Sequence, residues 1–255
     1  MALAVPKTTE LLRTLTSYID EGHAIDTWAA AVVNREIAAI EDPAARAMLN
    51  ALRLGALGKE DEAVDSFDSA LRAYCDSVIG LNFSTYLRRV GRYSSYVDLA
   101  YRLSELFEDP EIVSNACEAA YVTADLPRVH TFSMRLCKYV SSQTQDRVDI
   151  MSEADSFAKL LQNAERSMGV SPILVQKLAS LSISVADRHR KMVSGSRVSI
   201  AEGQIMVTVD VREADPEQLS DMNYELAMAI ADNDELFDIP ATAWFRGKNT
   251  EAKVV

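Results

Sequence analysis

A mainly α-helical chain of paired helices, closed by a small α+β unit at the carboxyl end, is the fold class this sequence predicts. Three observations carry the prediction. Before Gly195, apolar residues recur at spacings of 3 and 4, which gathers them on one face of a helix. The stretch RAMLNALRLGALGKEDEAVDSFDSAL, residues 46–71, reads as helix, tight turn at Gly58, helix, and its pattern returns every 33 residues. After Gly195 the apolar period becomes two, as in strands with one buried face.

Residues 7–21 read as a helix with Leu11, Leu12, Leu15, Tyr18 and Ile19 on one side. A second helix runs from Asp26, its N-cap, to about Ile40, with Trp28 expected to pack in its first turn. Glu41-Asp42-Pro43 stops it, and Pro43 opens the next helix. In the Gly58 unit, Ala47, Ala51 and Leu54 precede the turn; Ala63, Phe67, Ala70 and Leu71 follow it. Gly58 suits a left-handed helix end, and Glu60, Asp61 and Glu62 suit the positive end of the next helix dipole.

The interval is regular. Gly58, Gly91 and Ala124 share one offset; Ala63, Tyr96 and Val129 share another. Phe67, Ala100 and Ser133 align, as do Ala51, Ser84 and Cys117. A fainter copy begins at Tyr18 and Gly22, with a slipped frame. One helix pair per unit at this period resembles the tetratricopeptide repeat family over residues of about 10–140. The Gly58 unit carries the resemblance best. The Gly91 unit has Tyr96 where the family prefers Ala, and the third unit has Ala124 for the turn glycine. The resemblance implies an α-solenoid whose first helices line a concave groove. Its groove positions here are Met48, Leu52 and Gly55, then Leu81, Thr85, Arg88 and Arg89, then Ser114, Glu118 and Tyr121. Without the resemblance, the same residues describe an irregular bundle of helical hairpins.

From Gln143 two longer stripes follow. Ile150, Ala154, Phe157, Leu161, Ala164 and Met168 form one; Leu174, Leu178, Leu181, Val185, Arg188 and Met192 form the other. Gly169-Val170-Ser171-Pro172 supplies a C-cap, an N-cap and a first-turn proline between them. So short a link predicts a long antiparallel hairpin. It either projects as an arm, with Leu174, Leu178, Leu181 and Val185 as an oligomer seam, or closes the solenoid.

Next, Val198 and Ile200 alternate, Glu202-Gly203 turns, and Ile205, Val207, Val209 and Val211 form a one-sided strand. Asp215-Pro216 starts a helix with Leu219, Met222, Leu226 and Ile230 inward, and Ile239 to Phe245 alternate as a third strand. The ββαβ order implies a small sheet under one helix. Expected divisions are therefore 1–142, 143–194, 195–247 and a polar tail 248–255.

At 255 residues the chain can bury a substantial core. A net charge of −12 disfavours phosphate backbones as partners, except at a local basic patch, Arg188-His189-Arg190-Lys191. Cys75, Cys117 and Cys137 form no CxxC pair and read as buried hydrophobes of a reducing compartment. No leader pattern and no run of about 18 apolar residues occur, so a soluble cytoplasmic protein is expected.

His23, His130 and His189 lack partners at metal-ligand spacing, and Asp232-Asn233-Asp234 lacks the glycine and glutamate of a calcium loop. No phosphate loop, GxSxG or HExxH occurs, so neither a cofactor nor a catalytic role is expected. Residues 208–238 hold ten acids and one base, Arg212: a solvated face, or an acidic surface for a basic partner. Two functions follow. One is an interaction or adaptor module that takes a protein or peptide partner on Thr85, Arg88, Arg89, Glu118 and Tyr121. The other is an assembly subunit, a homo-oligomer through the hairpin and the sheet.

Overall fold

The structure, a computed structural model, describes residues 7–140 and 145–248. Among them are eleven helices and a three-stranded sheet near the carboxyl end, so the mainly helical class holds. The chain divides into two compact units, Met1–Val90 and Gly91–Val255. The divisions expected after residues 142 and 194 therefore fall inside the second unit.

The first unit holds α1 (Lys7–Asp20), α2 (Thr27–Ala38), α3 (Pro43–Ala56), α4 (Glu60–Tyr74) and α5 (Ser77–Arg89). Helix α3 is central, packing on α1, α2, α4 and α5. Its Leu49 and Ala51 are fully buried, as are Leu15, Ala63 and Phe67 around it. Asp26, Asp42 and Asp76 each accept backbone N–H groups in the first turn of the helix that follows, worth about 1 kcal/mol apiece. Phe67 stacks on Phe83 with ring centroids 5.1 Å apart. Trp28 departs from expectation. It lies on the outer side of α2, 77% exposed, because Val33 and Ile37 form the buried stripe. Cys75 also differs: it is exposed, in a left-handed conformation at the end of α4.

The second unit begins with α6 (Tyr93–Leu106), α7 (Pro110–Val122) and α8 (Leu126–Leu136). Helix α9 (Gln145–Met168) leads into α10 (Pro172–Arg188). The unit closes with β1 (Val193–Ala201), β2 (Gln204–Arg212), α11 (Pro216–Ala231) and β3 (Ala241–Lys248). Residue 248, expected in the tail, ends β3; the rest of the tail lies outside the described residues.

The 33-residue interval has a physical basis in each turn. Gly58, Gly91 and Ala124 all hold positive φ, at 73°, 67° and 54°. After Gly58, Lys59 N–H returns to Leu54 C=O; after Ala124, Asp125 N–H returns to Ala120 C=O. That is one Schellman closure used twice. Residues at common offsets are buried alike: Ala63, Tyr96 and Val129 at 0%, and Phe67, Ala100 and Ser133 at no more than 1%.

The long antiparallel hairpin is corrected. Helices α9 and α10 meet at 111°. Each stripe finds its own cover: α9 lays Ala154 into a cluster with α7 and α8, while α10 packs on α6, α11, β2 and β3. Buried residues of α10 include Val175, Leu178, Ala179, Ser182, Ile183, Val185 and Ala186, which is broader than a two-position seam. A helix buried so widely has no need of α9 along its length.

The sheet order is β1-β2-β3, with β1/β2 antiparallel and β2/β3 parallel, α11 making the crossover. Glu202 and Gly203, both at positive φ, form the two-residue hairpin turn. Ile205, Val207, Val209 and Val211 are all fully buried, as their alternation implied.

Candidate interaction surfaces

The groove positions inferred from the repeat do not form one exposed surface. On α3, Met48 and Leu52 are 4% exposed. A Cβ on Gly55 would lie 2.5 Å from the Tyr86 ring, so the glycine is there to admit that ring. On α5, Thr85 is exposed, while Arg88 and Arg89 are half-buried and Arg89 pairs with Asp20 at 3.2 Å. Those residues lie in the first unit, and Glu118 and Tyr121 on α7 in the second. Tyr121 packs edge-on against Phe157 of α9 at 5.4 Å, and burial pushes its phenol up to about 12. It is a packing residue of the α7–α8–α9 cluster.

The oligomer seam is corrected likewise. Leu178 and Val185 are fully buried inside their own unit, and Leu174 and Leu181 are half-buried. The apolar stripe that suggested a second chain is satisfied within this one.

The basic run Arg188–Lys191 is also engaged internally. Arg188 forms a close ion pair with Glu225 of α11 and reaches Ser184 Oγ at 3.0 Å. His189 Nε2 meets the other Glu225 oxygen at 2.6 Å. Lys191 Nζ donates to Glu213 C=O at 3.0 Å. The Arg188 guanidinium, with His189 beside it, holds the Glu225 carboxyl below the usual carboxylate range. A carboxylate shared by Arg188 and His189 closes α10 onto α11; being half-exposed, the Arg188 pair contributes under about 1 kcal/mol.

A different surface stands out on α11. Its inner stripe buries Met222 and Leu226. Its outer stripe runs through Asp221, Tyr224, Ala227, Met228 and Ala231, with Tyr224 71% and Met228 47% exposed. The following turn, tied down by Leu236 N–H and Phe237 N–H donating to Asn233 C=O, presents Phe237 at 64%. Acids flank these groups. Asp210 is paired with Arg246 and Glu235 with Lys177. Glu217, Asp221, Asp232, Asp234 and Asp238 are exposed and make no ion pair among the described residues. Three of them cluster just past the end of α11, whose last turn has no basic residue. Negative charge there adds to the negative pole of the helix dipole. The sequence showed the acids; it could not show that the outer stripe of α11 would stay uncovered.

Cavities are small. One of about 180 Å³ is lined by Ser94, Val97, Asp98, Thr123, Ser180 and Ile183 in the second unit. Another of the same volume lies beside Tyr18, His23 and Gly55 in the first. Both are below the roughly 300 Å³ at which small-molecule sites usually begin. A wider open depression follows α9 from Arg147 to Lys159. Among the described residues no cluster of three or more His, Cys, Asp or Glu could hold a metal ion, and no single helix is long and apolar enough to cross a membrane. Comparison with protein-family models, with curated proteins and with solved structures finds no match.

Proposed function

We propose that this chain is a protein-interaction module, an adaptor that binds rather than catalyses. Tetratricopeptide-like helix pairs form its body, and the outer stripe of α11 with the turn behind it is the partner-facing surface. The observation that carries this reading is the exposure of Tyr224, Met228 and Phe237 amid acids without internal ion pairs. Aromatic and Met side chains framed by charge are the composition of binding surfaces. Charge complementarity selects the occupant: a basic amphipathic helix, laying apolar residues on Tyr224 and Met228 and a Lys or Arg at the end of α11. The free thiols of Cys75, Cys117 and Cys137 suit a reducing cytoplasm.

Fluorescence anisotropy with a labelled amphipathic Leu/Lys peptide tests the proposal. Binding is expected to weaken about tenfold or more with Tyr224→Ala plus Met228→Ala, and to weaken as salt rises. Equal affinity for that double variant would remove α11 as the site. The repeat groove makes a rival forecast: loss on Arg88→Glu plus Arg89→Glu, with α11 variants silent.

A further inference from the structure

The two outer edges of the sheet are treated differently. On β3, Asn223 of α11 occupies the outward backbone of Phe245: its Oδ1 accepts Phe245 N–H at 2.7 Å and its Nδ2 donates to Phe245 C=O at 3.3 Å. Two residues on, a Cβ on Gly247 would lie 2.9 Å from Leu219 Cδ1, so α11 lies against that edge too. On β1, α7 and α9 pack against the strand, but among the described residues no side chain bridges its outward backbone in this way. The two-residue turn makes Ala201 and Gln204 the closing hydrogen-bonded pair. Antiparallel alternation then turns the N–H and C=O of Ser196, Val198 and Ile200 away from β2. Among the described residues, no hydrogen bond reaches those backbone groups from the open side. Unpaired edges of this kind are templates for another strand.

We propose that β1 pairs antiparallel with β1 of a second copy, about a two-fold axis at Val198, to give a continuous six-stranded sheet. The sequence of the edge supports a copy of itself as the occupant. With the axis at Val198, Ser196 faces Ile200 of the second copy and Val198 faces its equivalent, so all the outward groups of these residues are paired. Arg197, the sole charge on β1, then faces Ser199 of the second copy. Moving the axis to Arg197 sets two guanidiniums directly opposite, which is unfavourable. Moving it to Ser199 leaves Ser196 opposite the turn. With the axis at Val198, Ile200, 41% exposed, gains Ser196 of the second copy as a neighbour. The net charge of −12 opposes the approach of two copies, so this association is weak and tightens as salt screens it. That is the reverse of the salt response expected at α11.

Sedimentation equilibrium of the full chain, from micromolar to hundreds of micromolar, is the test. A monomer–dimer equilibrium is expected. Val198→Pro should abolish it, since the lost N–H is unused in the β2 ladder and proline is tolerated at an edge. Ser199→Glu, which faces Arg197 twice across the axis, should tighten the dimer about tenfold, and Ser199→Arg should loosen it as much. A strict monomer at the highest concentration overturns the proposal. So does a dimer whose Kd moves the same way, or not at all, in the two Ser199 variants; that pair decides the matter even if Val198→Pro fails to fold.

Discussion

Asp187 caps a helix whose first residue, Tyr93, lies 94 positions before it. Its carboxylate accepts Tyr93 N–H at 2.5 Å and Ser94 N–H at 2.9 Å. The local N-cap of α6, Arg92, makes no side-chain cap hydrogen bond. A negative group at this position satisfies orphan donors and suits the helix dipole.

Replacing that carboxylate should therefore act at a distance. Asp187→Ala is expected to cost about 1–2 kcal/mol, since it leaves the partly buried Tyr93 N–H unsatisfied and the exposed Ser94 N–H to water. Asp187→Asn keeps an acceptor and should cost about half as much. Urea unfolding of both variants measures the difference; equal losses would mean that the neutral acceptor counts for nothing and the charge carries the cap.

Gly91 stands two residues before Tyr93 and carries a stricter demand. It holds φ 67°, and a Cβ on it would sit 2.4 Å from the Arg190 carbonyl carbon. The obstacle is backbone, which cannot swing aside. Gly91→Ala should lower stability by at least about 3 kcal/mol, from left-handed strain plus overlap. Gly58→Ala is the contrast: φ 73° but open space around it, so about 1 kcal/mol. Thermal melts of the pair should rank them in that order.

The phenol of Tyr121 predicts an alkaline response. Burial raises it from 10.0 to about 12 in the folded chain. Below the unfolded value the group is neutral in both states and its contribution is intact. Between the two values the unfolded chain ionises first and binds fewer protons, so stability falls as pH rises. Tyr121→Phe should flatten that fall in ΔG of unfolding measured from pH 10 toward pH 12. A wild-type slope retained in the variant would assign it to other tyrosines.

Local signals were legible and long-range cover was not. Asp26, Asp42, Ser171 and Asp215 read as caps or helix starts from sequence, and each side chain accepts a first-turn N–H. The one-sided strand at Ile205–Val211 was equally plain, because period two admits one interpretation. What failed depended on distant partners. Leu178 and Val185 formed a seam on paper, yet the faces that bury them come from α6, α11 and the sheet. Trp28 looked like core because its size is a burial prior, but its angular position on α2 faces outward. The acidic run was visible and its meaning was not: which carboxylates are spent on Arg188, Lys177 and Arg246 is a matter of tertiary approach.

The dependence of α6 on Asp187 sets an order for synthesis. A nascent chain emerging from the ribosome has α6, α7 and α8 in hand long before α10 appears. Until it does, the first turn of α6 frays and its apolar stripe waits for a cover still unmade. The second unit must therefore mature late and nearly all at once, while the first, complete by Val90, has everything it needs early.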